Sequence, residues 1–179
     1  VSDLSIRIYG DPVLREPAED VTEFDSALES LAARMVQTMI EADGIGLAAP
    51  QVGISKRFLV IGLPTGEDSR TRKVIAMANP EIISEGDELE IMEEGCLSIP
   101  GITEEVERPA EITVRFQNLK GEWVEVVARD LLARVTQHEM DHLDGVLFTD
   151  RISPLKKSLL RGKLKKLMQE GAPARTKRD

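Results

Sequence analysis

The segment QHEMDHLDG, residues 137–145, holds both histidines of the chain, four positions apart, with a glutamate directly after the first. No other feature constrains the fold as much. In a helix, positions 138 and 142 lie on one face a turn apart, so both imidazoles can reach one ion. Leu131, Val135, His138 and His142 share that face, which predicts an inward-looking helix from about Arg129 to Leu143, stopped at Gly145.

Two buried histidines can simply be satisfied core residues. With H-E-x-x-H on an inward face, a metal site is the better expectation. Glu139 sits one residue round from His138, where a general base for an activated water belongs. The pattern is shared with zinc endopeptidases, whose further ligands lie downstream. Here Phe148 stands where one class of them has a histidine, and the sole downstream glutamate, Glu170, lies at the edge of a basic segment. The third ligand must be sought upstream. Cys96, the only cysteine, lies in EEGCLSIPG (93–101). As a thiolate it would complete a three-ligand site with one position open. The alternative is a small buried hydrophobe, the usual fate of a free cysteine.

A third segment, GIGLAAPQVG (44–53), has no phosphate-loop spacing and no helix pattern after it. Its glycines allow close backbone approach, and Gln51 in an apolar stretch needs a partner if buried. The Gln51 amide could stabilise an oxyanion. A plain turn is the competing account.

The rest of the chain reads as one α+β domain. Apolar positions from Leu28 to Ile40 predict a long amphipathic helix over Thr22–Asp43, with Thr22 as N-cap and Gly44 as stop. β-Branched runs at 57–62, 73–83, 111–116 and 122–128 predict strands, the last two joined as a hairpin through Asn118–Gly121. Residues 63–73 read as a polar loop. A final helix opens at Ser153-Pro154 and runs to about Glu170. Helix, strands, then helices is an α+β order, with antiparallel or mixed sheets around the central helix. The domain is expected to span 1–171, with 172–179 a disordered basic tail.

Of the 179 residues, 41% are hydrophobic and 3% aromatic, so the core rests on aliphatic side chains. No membrane span or signal segment is visible, and a single cysteine favours a reducing compartment, the cytosol. The net charge of −9 argues against general DNA binding. It conceals an asymmetry: residues 151–179 carry ten Lys/Arg against Glu170 and Asp179, on an otherwise acidic body. Leu155, Leu159, Leu160, Leu164, Leu167 and Met168 form an apolar stripe in that last helix, with lysines crowding the remainder.

GIGLAAPQ, EGCLSIP and QHEMDH, in this order, resemble the three motifs of the peptide deformylase family, and the resemblance runs along essentially the whole chain. It implies removal of the formyl group from N-terminal formyl-methionine of new bacterial or organellar polypeptides. The metal it implies is typically Fe²⁺, with Zn²⁺, Ni²⁺ or Co²⁺ able to occupy the site. By the resemblance, Cys96, His138 and His142 hold the metal, Glu139 is the base, and Gln51 with the backbone N–H of Leu97 meets the oxyanion. An extended substrate would pair with Ile45, Gly46 and Gly95. Its methionine pocket would be lined by Ile45, Met92, Leu131, Arg134, Val135 and His138, Arg134 lending its stem while its head reaches outward. Arg108, Asp141 and Glu94 would form an ion network holding the metal helix against the Cys96 segment. The chain is expected to be a monomer, and the resemblance implies ribosome docking through helix 153–171. Two other classes compete: an H-E-x-x-H endopeptidase, and a ribosome-binding module with a structural metal.

Overall fold

The computed structural model describes residues 3–67 and 71–171. Helix α1 spans Ser26–Glu41 and buries Leu28, Leu31, Ala32, Met35 and Met39 along one face. It begins four residues later than expected. Thr22 is not its cap; the Asp25 carboxylate accepts from Leu28 N at 3.1 Å. A carboxylate there meets an orphan amide and the positive end of the helix. The closing left-handed turn is made by Asp43, φ 56°, and not by Gly44.

Strands β1 (Gly46–Ala48), β2 (Phe58–Pro64), β3 (Arg72–Glu85), β4 (Leu89–Cys96), β5 (Ile99–Pro109), β6 (Glu111–Gln117) and β7 (Trp123–Arg129) follow. They make a five-stranded sheet of order β1-β2-β3-β6-β7 and a separate β4-β5 hairpin. Every ladder is antiparallel, so the mixed pairing allowed from sequence is absent from both sheets. The expected loop over 63–73 is shorter, because Pro64 pairs with Arg72 at the end of β2 and β3. The β6–β7 hairpin closes as expected, with Asn118 N donating to Glu122 O.

Helix α2 (Asp130–Leu143) packs on β1, β2, β6 and β7, and eleven consecutive residues from Ala133 to Leu143 are buried. Its apolar side meets Leu59, Ile61, Met77, Ile112 and Val114, each contributing roughly 1.5–3 kcal/mol of burial. Gly145 ends it at φ 72°, and a Cβ there would lie 2.6 Å from Arg15 O. The stop read from sequence therefore serves close packing as well as the turn. Leu131 departs from the expected inward face: it is 40% exposed, at the open end of the helix.

Helix α3 spans Pro154–Gly171, with Lys156 N bonded to Ser153 Oγ at its start. Its apolar stripe divides. Leu160 and Leu164 are buried against Ile99, Leu147, Phe148 and Ile152. Leu155 and Leu159, at 71% and 74% exposed, face outward with the lysines. No helix among the described residues is long and apolar enough to cross a membrane. The tail expected over 172–179 lies outside the described residues.

Candidate metal centre and cleft

Donor atoms of Cys96, His138 and His142 all lie within 4.8 Å of one another. Cys96 Sγ is 3.4 Å from His142 Nε2. That matches the roughly 3.5 Å separating a thiolate and an imidazole bound tetrahedrally to one small ion. Soft sulfur with two imidazoles suits iron, nickel, cobalt or zinc and not magnesium or calcium. The three residues come from two elements: His138 and His142 from α2, Cys96 from the last position of β4. A two-residue turn, Leu97-Ser98, follows before β5. The donor set therefore fits a divalent transition ion. It is also the one such group among the described residues, so no fourth protein ligand closes it. Neither downstream protease ligand exists: Phe148 stacks on His138, ring centroids 6.1 Å apart, and Glu170 is exposed at the far end of α3.

Beside these donors lies a cavity of about 540 Å³. Ile45, Gly46, Met92, Gly95, Leu97, Leu131, Arg134 and Val135 all line it, together with Cys96, His138 and Glu139. Ile99, Ile102 and Thr103 of β5 complete a wall that sequence reasoning missed. Gly46 has no room for a side chain, since a Cβ would stand 2.8 Å from both Glu139 Oε1 and Val135 Cγ1. β1 thus runs its bare backbone directly past the α2 carboxylate.

Glu139 is 4% exposed, and its Oε2 has no hydrogen-bond partner among the described residues. Burial pushes its pKa up to about 7, against the partial relief of His138 nearby. A carboxylate so placed can take and return a proton near neutrality. His142 is driven well below its usual value by burial, with further lowering from His138 and Arg108 charge, so its ring is neutral. Burial acts to lower His138 too, but hydrogen bonds with Cys96 and Glu94 outweigh it and raise the ring well above its usual value. The Cys96–Glu94 side of the site therefore attracts positive charge, as a cation site should.

Gln51, 1% exposed, lies in the short 3-10 turn Ala49–Val52 after β1 and does not line the cavity. Its Oε1 accepts from Ala48 N at 2.9 Å, leaving Nε2 directed to Cys96 Sγ at 3.5 Å and Ser98 Oγ at 3.2 Å. The partner its burial demanded is thus supplied, and Ser98 is a contributor the sequence did not mark. The N-terminal segment braces both ends, Arg7 N donating to Gln51 O and Tyr9 N to Ser98 O.

Behind the donors, Arg108, Glu94 and Asp141 do come together. Arg108 donates through Nε and Nη2 to Glu94, at 2.6 and 2.9 Å, and through Nη1 to Asp141 at 2.9 Å. Glu94 Oε1 lies 2.8 Å from His138 Nδ1. Burial would raise Glu94, but hydrogen bonds from His138 and Arg108 hold it far below the usual carboxylate range. Arg151 adds two bonds to Asp141 that sequence reasoning did not foresee. Arg134 overturns its expected pose. Its head does not reach solvent; the side chain is 6% exposed and its guanidinium is bonded to Glu94 and to the Glu90 and Val106 carbonyls. A glutamate and two strand carbonyls within reach make the interior the better solvent for this cation.

An α2 carboxylate beside a Cys/His/His donor set, opening on a cleft, defines a class: a metallohydrolase. The model of the polypeptide deformylase family matches residues 4–158. The peptide deformylase of Thermotoga petrophila is 55% identical over 159 residues, covering 89% of this chain and 93% of that one. The crystal structure of a plant peptide deformylase superposes with a TM-score of 0.89 at 39% identity, covering 95% of this chain and 91% of that one. That of Thermotoga maritima gives 0.78 at 51% identity, covering 84% and 98%. The chain belongs to the peptide deformylase family. Its reaction is removal of the N-terminal formyl group from nascent polypeptides.

Proposed function

We propose that Cys96, His138 and His142 hold one divalent ion, Fe²⁺ in the cell, and that Glu139 carries the proton chemistry of deformylation. The observation that carries this is the placement beside the three-donor set of a buried carboxylate with one oxygen that has no hydrogen-bond partner among the described residues. When bound, the ion supplies Lewis acidity and makes a water nucleophilic at neutral pH. Glu139 takes the proton of the attacking water and returns it to the departing amine, so that formate and a free N-terminus leave. Gln51 Nε2, 3.5 Å from Cys96 Sγ, and the backbone N–H of Leu97 donate to the oxyanion developing on the formyl group. The substrate lies extended along Ile45, Gly46 and Gly95, and its methionine enters the cavity between Met92, Leu131 and Val135. Zn²⁺, Ni²⁺ or Co²⁺ can replace iron in a purified sample.

The test is anaerobic formate release from a formyl-methionyl peptide, with metal content measured on the same sample. A fully metallated protein that releases none overturns the proposal. Gln51→Ala is expected to lower turnover by roughly 10²–10³ with metal retained. Near-normal turnover would leave Gln51 a purely structural residue holding Ala48 and Ser98.

We place the protein in the bacterial cytoplasm as a monomer whose single catalytic domain is residues 1–171, and infer that the outer face of α3 contacts the ribosome. Arg161, Lys163 and Lys165 are exposed along α3, and this row of cations supports an anionic partner. Truncation would be a poor test, because Leu160 and Leu164 belong to the core. Arg161→Gln with Lys165→Gln removes charge from exposed positions instead. Ribosome co-sedimentation should weaken and lose salt sensitivity; unchanged binding removes the idea.

A further inference from the structure

Arg134 is a buried cation for which neither the reaction nor the charge balance of Glu94 has an evident need. Arg108 already pairs with Glu94 through two parallel hydrogen bonds, one to each oxygen. Such a pair is complete as an ion pair, and burying a further charge is costly unless it gains strong contacts. Arg134 has them. Its Nη1 donates to Glu94 Oε2 and to Val106 O, both at 2.7 Å, and its Nη2 to Glu90 O at 2.7 Å.

A carboxylate has about four lone-pair directions. On Glu94, Oε2 receives Arg108 Nε and Arg134 Nη1, while Oε1 receives Arg108 Nη2 and faces His138 Nδ1. All four are occupied, so the group has no freedom to rock away from the imidazole. The same guanidinium also ties α2 to both strands of the β4–β5 hairpin, through Glu90 and Glu94 on one and Val106 on the other. Arg134 lies one helical turn before His138, and Glu94 two residues before Cys96. One side chain thereby joins the element carrying two donors to the element carrying the third.

We propose that Arg134 is a positioning residue for the metal centre: it immobilises Glu94, which orients His138, and it sets the separation of α2 from the Cys96 hairpin. This rests on Cys96, His138 and His142 being the ligands. Partners that orient a ligand in this way typically influence metal affinity by 10–100-fold.

The experiment uses full-length protein loaded with Co²⁺, followed by its absorption spectrum and its release rate to a chelator, with circular dichroism and thermal melting reporting the fold. Arg134→Met should release the ion roughly 10–100-fold faster and shift the cobalt bands. Arg134→Lys, which keeps the charge but cannot span Glu94 and both carbonyls, should fall between it and wild type. If Arg134→Met does not fold, the lysine variant alone decides. Folded variants with wild-type release and spectrum overturn the proposal and leave Arg134 a structural brace. A wild-type protein showing no thiolate-to-cobalt band would instead overturn the ligand assignment, a separate failure read before any variant is made.

Discussion

Glu139→Gln is expected to lower turnover by about 10²–10⁴ while metal content and fold stay as they are. The amide keeps the shape of the side chain but cannot accept the proton of the attacking water. Glu139 is 4% exposed and its Oε2 has no partner among the described residues, so no structural bond depends on that oxygen. Burial holds its pKa at about 7, which marks a carboxylate kept at an energetic cost. Removing its charge should therefore leave thermal stability equal or raised, a common outcome when a strained functional group is neutralised. Steady-state formate release, metal analysis and a melting curve on one preparation check all three. Turnover within tenfold of wild type would assign the base elsewhere.

The largest expected loss of stability is from Glu94→Ala. The substitution strands Arg108 and Arg134, 4% and 6% exposed, with only Asp141 and backbone carbonyls to face. Breaking a buried ion pair on one side costs about 3–5 kcal/mol, because an uncompensated charge remains. For a chain of this size that corresponds to a melting point lower by roughly 6–20 °C. Glu94→Gln should lose less, since its oxygen still accepts from one arginine. The pH sign follows from the lowered Glu94 pKa. Its contribution is complete above the unfolded carboxylate value, about 4.3, and is lost as pH falls below it towards the folded value. Melting at pH 7 and in acid well below that unfolded value, for wild type and variant, reads this directly. A Glu94→Ala protein as stable as wild type at pH 7 would mean that the arginines find other partners.

The elements read best from sequence were those whose pattern is local. Helix α2 was legible because Leu131, Val135, His138 and His142 repeat at helical spacing, and Gly145 ends it. β6 and β7 were legible from β-branched runs around Asn118–Gly121. The β4–β5 hairpin was not read as strands, and its composition explains why. Leu89 and Ile91 are 57% and 60% exposed, while Glu90, Met92 and Glu94 turn inward. The usual alternation is inverted on β4, because Glu94 there pairs with Arg108 and Arg134, while β5 sends Ile99, Ile102 and Val106 into the aliphatic cluster around Phe148. The same contact explains Arg134: no spacing in the helix could say that a glutamate 40 residues earlier would draw its head inside. In α3 the stripe was legible, but its division between core and solvent depends on where Ile99 and Phe148 stop.

By itself, the sequence determined the chemistry on offer: two histidines and a glutamate on one turn of helix, a single cysteine, and one glutamine in an apolar turn. Residue type and helical period suffice for that, since both are local properties. Tertiary structure alone decided that Cys96 reaches His142, that Gly46 passes against Glu139, and that Gln51 Nε2 reaches Cys96 and Ser98. It alone decided that Arg134 faces Glu94. These pairings join residues far apart in the chain, and their geometry is set by antiparallel register and by the packing of α2 against two separate sheets. Such long-range contacts have no local periodicity from which to be read.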